Sequence, residues 1–247
     1  MYYKLIVAYD GAAYAGWQVQ PTARTVAGTL QETFQTVFGA SVTMVGASRT
    51  DAGVHAVYQV VRVRTDMAIE AAQLMRAWNN RLPVDIVIRS CVACDDTFHP
   101  QRNVQQKTYW YHVFAKRPLP QVSRYGYYYR YPFSEEKLRA VLQLFVGTHN
   151  FAAFCVAREY DDTVRTIDVI TLSYCRRLYA WRIEVRGKSF LHFMIRRIVG
   201  AALAIASHPD LSTHLITNAL KTGSVAAELP KAPAQGLLLR AVRYESN

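Results

Sequence analysis

The stretch Gly46-Ala47-Ser48-Arg49-Thr50-Asp51-Ala52-Gly53-Val54-His55-Ala56 gathers polar and charged groups between two segments that read as buried strands. Val42-Thr43-Met44-Val45 leads in and Tyr58-Gln59-Val60-Val61-Arg62-Val63 leads out, both rich in β-branched and long apolar residues. The motif is therefore a loop held by β structure at both ends. Gly46 and Gly53 open backbone angles closed to other residues, which suits a tight loop that presents a side chain. Asp51 is its focus. Taken on pattern alone, the stretch is a strand-to-strand turn whose Asp bonds its own backbone.

Working outward, Tyr2-Tyr3-Lys4-Leu5-Ile6-Val7-Ala8-Tyr9 reads as a strand ended by the turn signal Asp10-Gly11. Thr25 caps a helix whose apolar positions Val26, Leu30, Phe34, Val37 and Phe38 keep the helical period. A second helix, about Ile69 to Asn79, follows the strand after the Asp loop. Pro83 stops it, and Leu82 to Ile88 opens a further strand. The first half thus runs strand, helix, strand, strand, helix, strand.

The second half repeats this grammar without a close sequence repeat. Lys107 to Phe114 reads as a strand, and Ser134 caps a helix carrying Leu138, Val141, Leu142 and Phe145, with Glu135 and Glu136 in its first turn. Strands at Val164 to Cys175 and Trp181 to Val185 form a hairpin. A long helix from about Phe190 to Ser207, a short one near Thr213 to Lys221 and a final strand Leu237 to Tyr244 complete the chain. The expected fold class is α+β, in two similar halves, 1–105 and 106–247, each an antiparallel sheet covered by helices.

Charge narrows the partner. The 29 Lys and Arg exceed the 18 Asp and Glu by 11, and the isoelectric point is about 9.6. Basic charge spread over a folded chain and mixed with 16 Tyr, 4 Trp and 10 Phe suits phosphate neutralisation plus base stacking. It does not resemble the compact basic helix of a membrane-surface protein. With neither a long apolar run nor a basic leader followed by an apolar core, the expectation is a cytoplasmic protein without a membrane span. Cys91, Cys94, Cys155 and Cys175 do not complete a zinc ligand set, and read as reduced thiols.

Several side chains stand out as candidates for chemistry. Arg49, two residues before Asp51, shares a face with it in an extended conformation, where it would keep the carboxylate ionised or hold an RNA phosphate. His55 sits in a loop without the geometry of a metal pair and reads as a structural hydrogen-bonding residue. Tyr109 in Lys107-Thr108-Tyr109-Trp110-Tyr111 is by pattern an ordinary strand aromatic. Arg196 lies at the edge of the apolar helix stripe Leu191, Met194, Ile195, Ile198 and Val199, where it reaches solvent or a cleft. Arg124-Tyr125-Gly126-Tyr127-Tyr128-Tyr129-Arg130-Tyr131 holds five Tyr and two Arg in eight residues. It reads either as a base-stacking surface or as an amphipathic strand with wet hydroxyls.

Arg49-Thr50-Asp51-Ala52-Gly53-Val54-His55-Ala56 resembles the signature of the TruA family of tRNA pseudouridine synthases. The resemblance extends in order through Tyr9-Asp10-Gly11, Gly16-Trp17-Gln18, Leu82-Pro83-Val84-Asp85-Ile86, Phe98-His99, Lys107-Thr108-Tyr109-Trp110-Tyr111, the helix with Arg196, and Ala232-Pro233-Ala234-Gln235-Gly236-Leu237. Departures fall at Ser48, at Pro100-Gln101-Arg102 and at Leu238. It implies the pseudouridine synthase fold, with its halves joined around a central basic cleft, and isomerisation of uridine at positions 38, 39 and 40 of the tRNA anticodon stem-loop. It further implies Asp51 as nucleophile, Tyr109 stacking on the target uracil, Arg196 pairing with Asp51, and Arg49 and His55 in substrate binding. No cofactor or metal is implied. The implied partners are tRNA and a second copy of the chain, since the family forms homodimers. A non-catalytic tRNA-binding relative or another base-flipping RNA enzyme is the alternative.

Overall fold

A computed structural model of the chain describes residues 1–224 and 229–245, which fall into two compact units. The first comprises Met1–Gln105 together with the C-terminal segment that begins at Leu238; the second is Gln106–Leu237.

In the first unit, β1 (Tyr2–Tyr9) alternates buried and half-exposed residues, with Tyr3, Leu5, Val7 and Tyr9 facing the core. Helix α1 (Val26–Phe38) starts where Thr25 Oγ1 accepts the Gly28 N–H at 3.2 Å, and ends at Gly39 with φ +67°. β2 (Thr43–Gly46) and β3 (His55–Arg64) flank the Asp51 loop. Helix α2 (Ala71–Asn79) begins two residues later than its apolar period predicts. The Glu70 carboxylate accepts from Ala72 N and Gln73 N, and these bonds hold its carboxyl below the usual range. Trp78 of α2 meets Phe34 of α1 edge to face at 4.9 Å, so the two helices share one buried face. β4 (Ile86–Ala93) follows the Pro83 turn, and the Asn79 side chain bonds both the N–H and the C=O of Ile88.

The second unit carries β5 (Val104–Phe114), β6 (Tyr127–Tyr128), α3 (Glu135–Gln143), β7 (Gly147–Asn150), β8 (Val164–Cys175), β9 (Ala180–Gly187), α4 (Met194–Ser207) and α5 (His214–Thr222). Its sheet runs β5-β9-β8-β7, antiparallel throughout, with β6 making a short parallel pairing to β5. Ser134 Oγ caps α3 through the Lys137 N–H. Helix α3 is tied to β8 by Arg139 and Gln143, which donate to the carbonyls of Leu172 and Ile170. Helix α4 is apolar around most of its surface and correspondingly buried from Ile198 through Ala206. It starts at Met194 rather than near Phe190, because Phe193 takes a left-handed conformation at φ +64°.

β10 (Leu237–Tyr244) is last in the chain but returns to the first unit. It pairs parallel with β3 through Leu238↔His55 and Leu239↔Ala56, so that sheet is antiparallel except at this seam. The C-terminal residues from Leu238 therefore belong with residues 1–105, not with the second half in which sequence order places them. β1 holds one edge of β3, while β2 pairs with residues 61–64 and β10 with residues 55–56. The Asp51 loop leaves the sheet where β2 stops. No helix among the described residues is long and apolar enough to cross a membrane.

Candidate active site

The Asp51 loop is built by bonds that continue the β2–β3 pairing past its last strand residue. Ala47 N–H donates to Val60 O at 2.8 Å. At the next position the buried Gln59 side chain takes over, accepting from Ser48 N–H at 3.2 Å and donating to Ser48 O at 2.6 Å. Gln101 Nε2 donates to Gly46 O at 2.8 Å, so the Pro100-Gln101-Arg102 departure from the family pattern supplies a bond to the loop's first residue. Ser48 Oγ is buried and has no partner.

The two N-terminal motifs close around the other side of the loop. Trp17 N–H donates to Thr50 O at 3.0 Å, Gly53 N–H to Tyr14 O at 3.2 Å, and the Tyr9 hydroxyl meets Thr50 Oγ1 at 2.7 Å. Gly16, at φ +102°, lies so close that a Cβ there would stand 2.7 Å from Thr50 O. The buried Trp17 indole lies against Gly46, where a Cβ would stand 2.7 Å from the ring. Asp85 steadies this arrangement from below: its carbonyl accepts the Asp10 N–H and its carboxylate accepts the Tyr14 hydroxyl at 2.6 Å. Burial, followed by the Asp85 carboxylate, pushes the Tyr14 phenol up.

Asp51 opens the turn itself. Its carbonyl accepts the Val54 N–H at 3.1 Å, with Gly53 at φ +79° in the third position. Its side chain is half-buried, on a backbone fixed from two sides. Arg49 is exposed and forms no ion pair with Asp51. His55 is buried, with Nδ1 at 3.1 Å from both Gly11 N and Asp10 Oδ1. One nitrogen cannot serve both at once. The Gly11 N–H can only donate, which makes Nδ1 an acceptor in the neutral ring, whereas a protonated ring would turn to Asp10. Either way His55 ties the loop exit to Asp10-Gly11, a structural hydrogen-bonding role.

In the second unit, Tyr109 is a buried residue of β5, its ring edge on to Phe190 at 5.4 Å. Lys107 lies two residues earlier, on the same face of the strand, and burial pushes its ammonium down to about 8. Arg196 is held by the segment before β10. Its Nε donates to Ala232 O at 2.9 Å, and Ala232 N–H returns a bond to Arg196 O at 3.0 Å. The guanidinium lies 5.0 Å from the Phe193 ring centroid, with Lys231 Nζ 3.7 Å from that centroid. A Cβ at Gly200 would stand 1.9 Å from Pro230 O, so this segment runs directly against α4. Farther along, the Tyr111 hydroxyl donates to Pro233 O at 2.7 Å and its ring lies against Gly236. Ala232-Pro233-Ala234-Gln235-Gly236 is thus the brace that orients Arg196 and covers Tyr111.

Residue pattern gave Gln59, Asp85 and Gln101 no assigned role, though the resemblance marks the stretches that hold Asp85 and Gln101. Each is a single polar side chain whose partner lies on another element or loop. Among the described residues no cluster of His, Cys, Asp and Glu is placed to hold a metal ion.

Comparison with known proteins places these features in a family. A family model described as tRNA pseudouridine synthase matches residues 5–101 and 141–245. The chain is 34% identical over 242 residues to the tRNA pseudouridine synthase A of Thermoanaerobacter sp. (strain X514), covering 97% of this chain and 98% of the relative. It is 36% identical over 247 residues to the Latilactobacillus sakei protein of the same name, covering 98% of each. The Thermodesulfovibrio yellowstonii protein of that name is 32% identical over 253 residues, again covering 98% of each. The chain belongs to the tRNA pseudouridine synthase family, whose members are isomerases.

Proposed function

We propose that this protein isomerises uridine to pseudouridine at positions 38, 39 and 40 of the tRNA anticodon stem-loop, with Asp51 as its catalytic carboxylate. The reaction breaks the bond between N1 and the ribose carbon, turns the base, and joins C5 to the same carbon. The C5 hydrogen leaves and N1 gains one, so no electrons are exchanged and neither cofactor nor metal is called for. The base must leave the stack, meet a carboxylate and be retained while detached.

The observation that carries this reading is the Asp51 turn. A carboxylate on a backbone fixed by the Tyr9-Asp10-Gly11 and Gly16-Trp17-Gln18 motifs, and by Gln59, is a preorganised group rather than a mobile surface acid. In this reading Tyr109 supplies the stacking face for the uracil, Arg196 the cation that pairs with Asp51, and Arg49 a phosphate contact, its exposed guanidinium having no acidic partner among the described residues. His55 acts in substrate binding only by holding the loop's shape. The protein works as a cytoplasmic homodimer on one tRNA. The net charge of +11 supports the polyanionic partner, and relatives matched along nearly their whole length support the activity.

The test incubates the protein with unmodified tRNA transcript and maps pseudouridine chemically. Product at positions 38 to 40 is expected from wild type and none from Asp51→Ala. Absence of product from wild type overturns the assignment.

A further inference from the structure

The Tyr-rich segment after β5 is not used by the chemistry above, and its side chains divide into two sets. Tyr129 is buried and anchored: its hydroxyl lies 2.6 Å from Ser207 Oγ, and its ring sits in an edge-to-face ladder with Tyr127 and Tyr131, each at 5.6 Å. Its N–H donates to Phe114 O, and Gly126 lets the strap lie directly on the Phe114 ring, where a Cβ would stand 2.3 Å from it. The backbone is therefore fixed to the second unit. What it turns outward is Tyr128 and Tyr131, each 43% exposed, and the exposed Arg130. The Arg130 guanidinium lies 4.9 Å from the Tyr131 ring centroid and donates to the Tyr131 hydroxyl at 2.7 Å.

Exposed aromatic rings on a rigid backbone would normally be a solubility liability. Here the charge along the strap's own sequence has one sign. From Ala115 to Ser134 the chain holds Lys116, Arg117, Arg124 and Arg130 and no acid, and the next carboxylate, Glu135, is paired with Arg139 at 2.8 Å. Exposed rings beside the Arg130 guanidinium, on a strap whose own sequence carries cations and no acid, match unpaired bases strung on a phosphate backbone. An apolar protein partner would desolvate the Arg130 guanidinium without a counter-charge, and a second copy of this basic chain would set like charge against it.

We infer that Tyr128, Arg130 and Tyr131 form a second RNA-contact surface, outside the catalytic residues, that stacks on unpaired nucleotides of the substrate tRNA and neutralises a neighbouring phosphate. The inference rests on the reading of tRNA as substrate. It assigns these residues to affinity rather than to chemistry, since none belongs to the Asp51, Tyr109 or Arg196 elements.

The experiment measures binding of an unmodified tRNA transcript to the full chain across a salt series, alongside steady-state pseudouridine formation. The paired variant Tyr128→Ala/Tyr131→Ala is expected to weaken tRNA binding and raise KM by about tenfold or more, with kcat unchanged. Tyr128→Phe/Tyr131→Phe, which keeps both ring faces, stays within about threefold of wild type. Arg130→Gln lowers the slope of log affinity against log salt by about one. Binding within twofold of wild type for the alanine pair, with an unchanged salt slope for Arg130→Gln, overturns the inference. So does an alanine pair whose only change is altered self-association in sedimentation, which would make this a protein interface. If the alanine pair does not fold, the Arg130→Gln slope decides. A wild type that binds tRNA through this surface but makes no pseudouridine would overturn the proposed activity and leave the surface standing.

Discussion

Gln59 bonds Ser48 in both directions, its amide accepting the Ser48 N–H and donating to the Ser48 carbonyl, so a buried side chain on β3 stands in for the next rung of the sheet. With the Ala47 N–H to Val60 O bond, the arrangement carries the pairing two residues past the end of β2 without letting Arg49 and Asp51 join the ladder. Replacing Gln59 with Leu leaves two backbone groups unpaired in the interior. We expect Gln59→Leu to lose about 3 kcal/mol, read as a lower urea midpoint at unchanged slope. A loss below about 0.5 kcal/mol would mean that the loop is held by other bonds.

The opposite sign is expected one atom away. Ser48 Oγ is buried without a partner, which leaves a desolvated hydroxyl uncompensated. Ser48→Ala should raise stability by about 1 kcal/mol and leave the rate of pseudouridine formation near wild type. Destabilisation by a similar amount would show that the hydroxyl has a partner after all.

Two glycines with positive φ separate backbone strain from steric closure. At Gly39, φ +67°, a Cβ would meet nothing within 4 Å, whereas at Gly16, φ +102°, it would stand 2.7 Å from Thr50 O. Gly39→Ala should lose about 1 kcal/mol and keep full activity. Gly16→Ala should lose about 3 kcal/mol or more and also slow catalysis, since relief comes only by shifting the Asp51 turn. Equal effects of the two substitutions would remove Gly16 from the list of residues that set the turn.

Lys107 makes a pH-dependent contribution whose sign follows from its burial. Its folded pKa of about 8 lies below the value near 10.4 expected for an unfolded chain, so between these values the unfolded state binds more protons and stability rises with pH. Below pH 8 the ammonium is present in both states and its full desolvation penalty persists. The variant Lys107→Met should therefore be more stable than wild type at pH 7, by up to about 3 kcal/mol, with the gap closing as pH rises to about 10.5. Denaturation of both proteins at several pH values checks this; a constant gap contradicts it.

How far the sequence could be read depended on how local each cause was. The caps at Thr25 and Ser134 and the strand-helix order of the first half were legible because capping and periodicity act within a few residues. The start of α4 was misplaced because nothing nearby shows that Phe193 adopts a left-handed backbone. β7, Gly147–Asn150, has no apolar alternation to mark it. The return of β10 to β3 joins residues far apart in the chain, which no periodicity records. At the candidate site, the turn that carries Asp51 was legible from its flanking strands and glycines. The bonds made by Gln59, Asp85 and Gln101 were not, although Asp85 and Gln101 fall in stretches the resemblance marks, because a single polar side chain shows its role only when its partner is in place. The expected Arg49–Asp51 pairing illustrates the converse. Residues two apart share a face only in an extended strand, and this segment has left the sheet by Arg49.

On the proposed function, the Asp51 carboxylate performs the isomerisation. Asp51→Asn keeps the shape of the side chain and removes its charge, and the bonds from Trp17 N–H to Thr50 O, Gly53 N–H to Tyr14 O, Tyr9 to Thr50 Oγ1 and Gln59 to Ser48 do not involve the carboxylate. The most direct measurement follows pseudouridine formed in a single turnover with unmodified tRNA, with tRNA affinity measured on the same preparations. A rate lowered by more than about a thousandfold is expected, with affinity within about threefold of wild type. Pseudouridine formation by Asp51→Asn at the wild-type rate would contradict it.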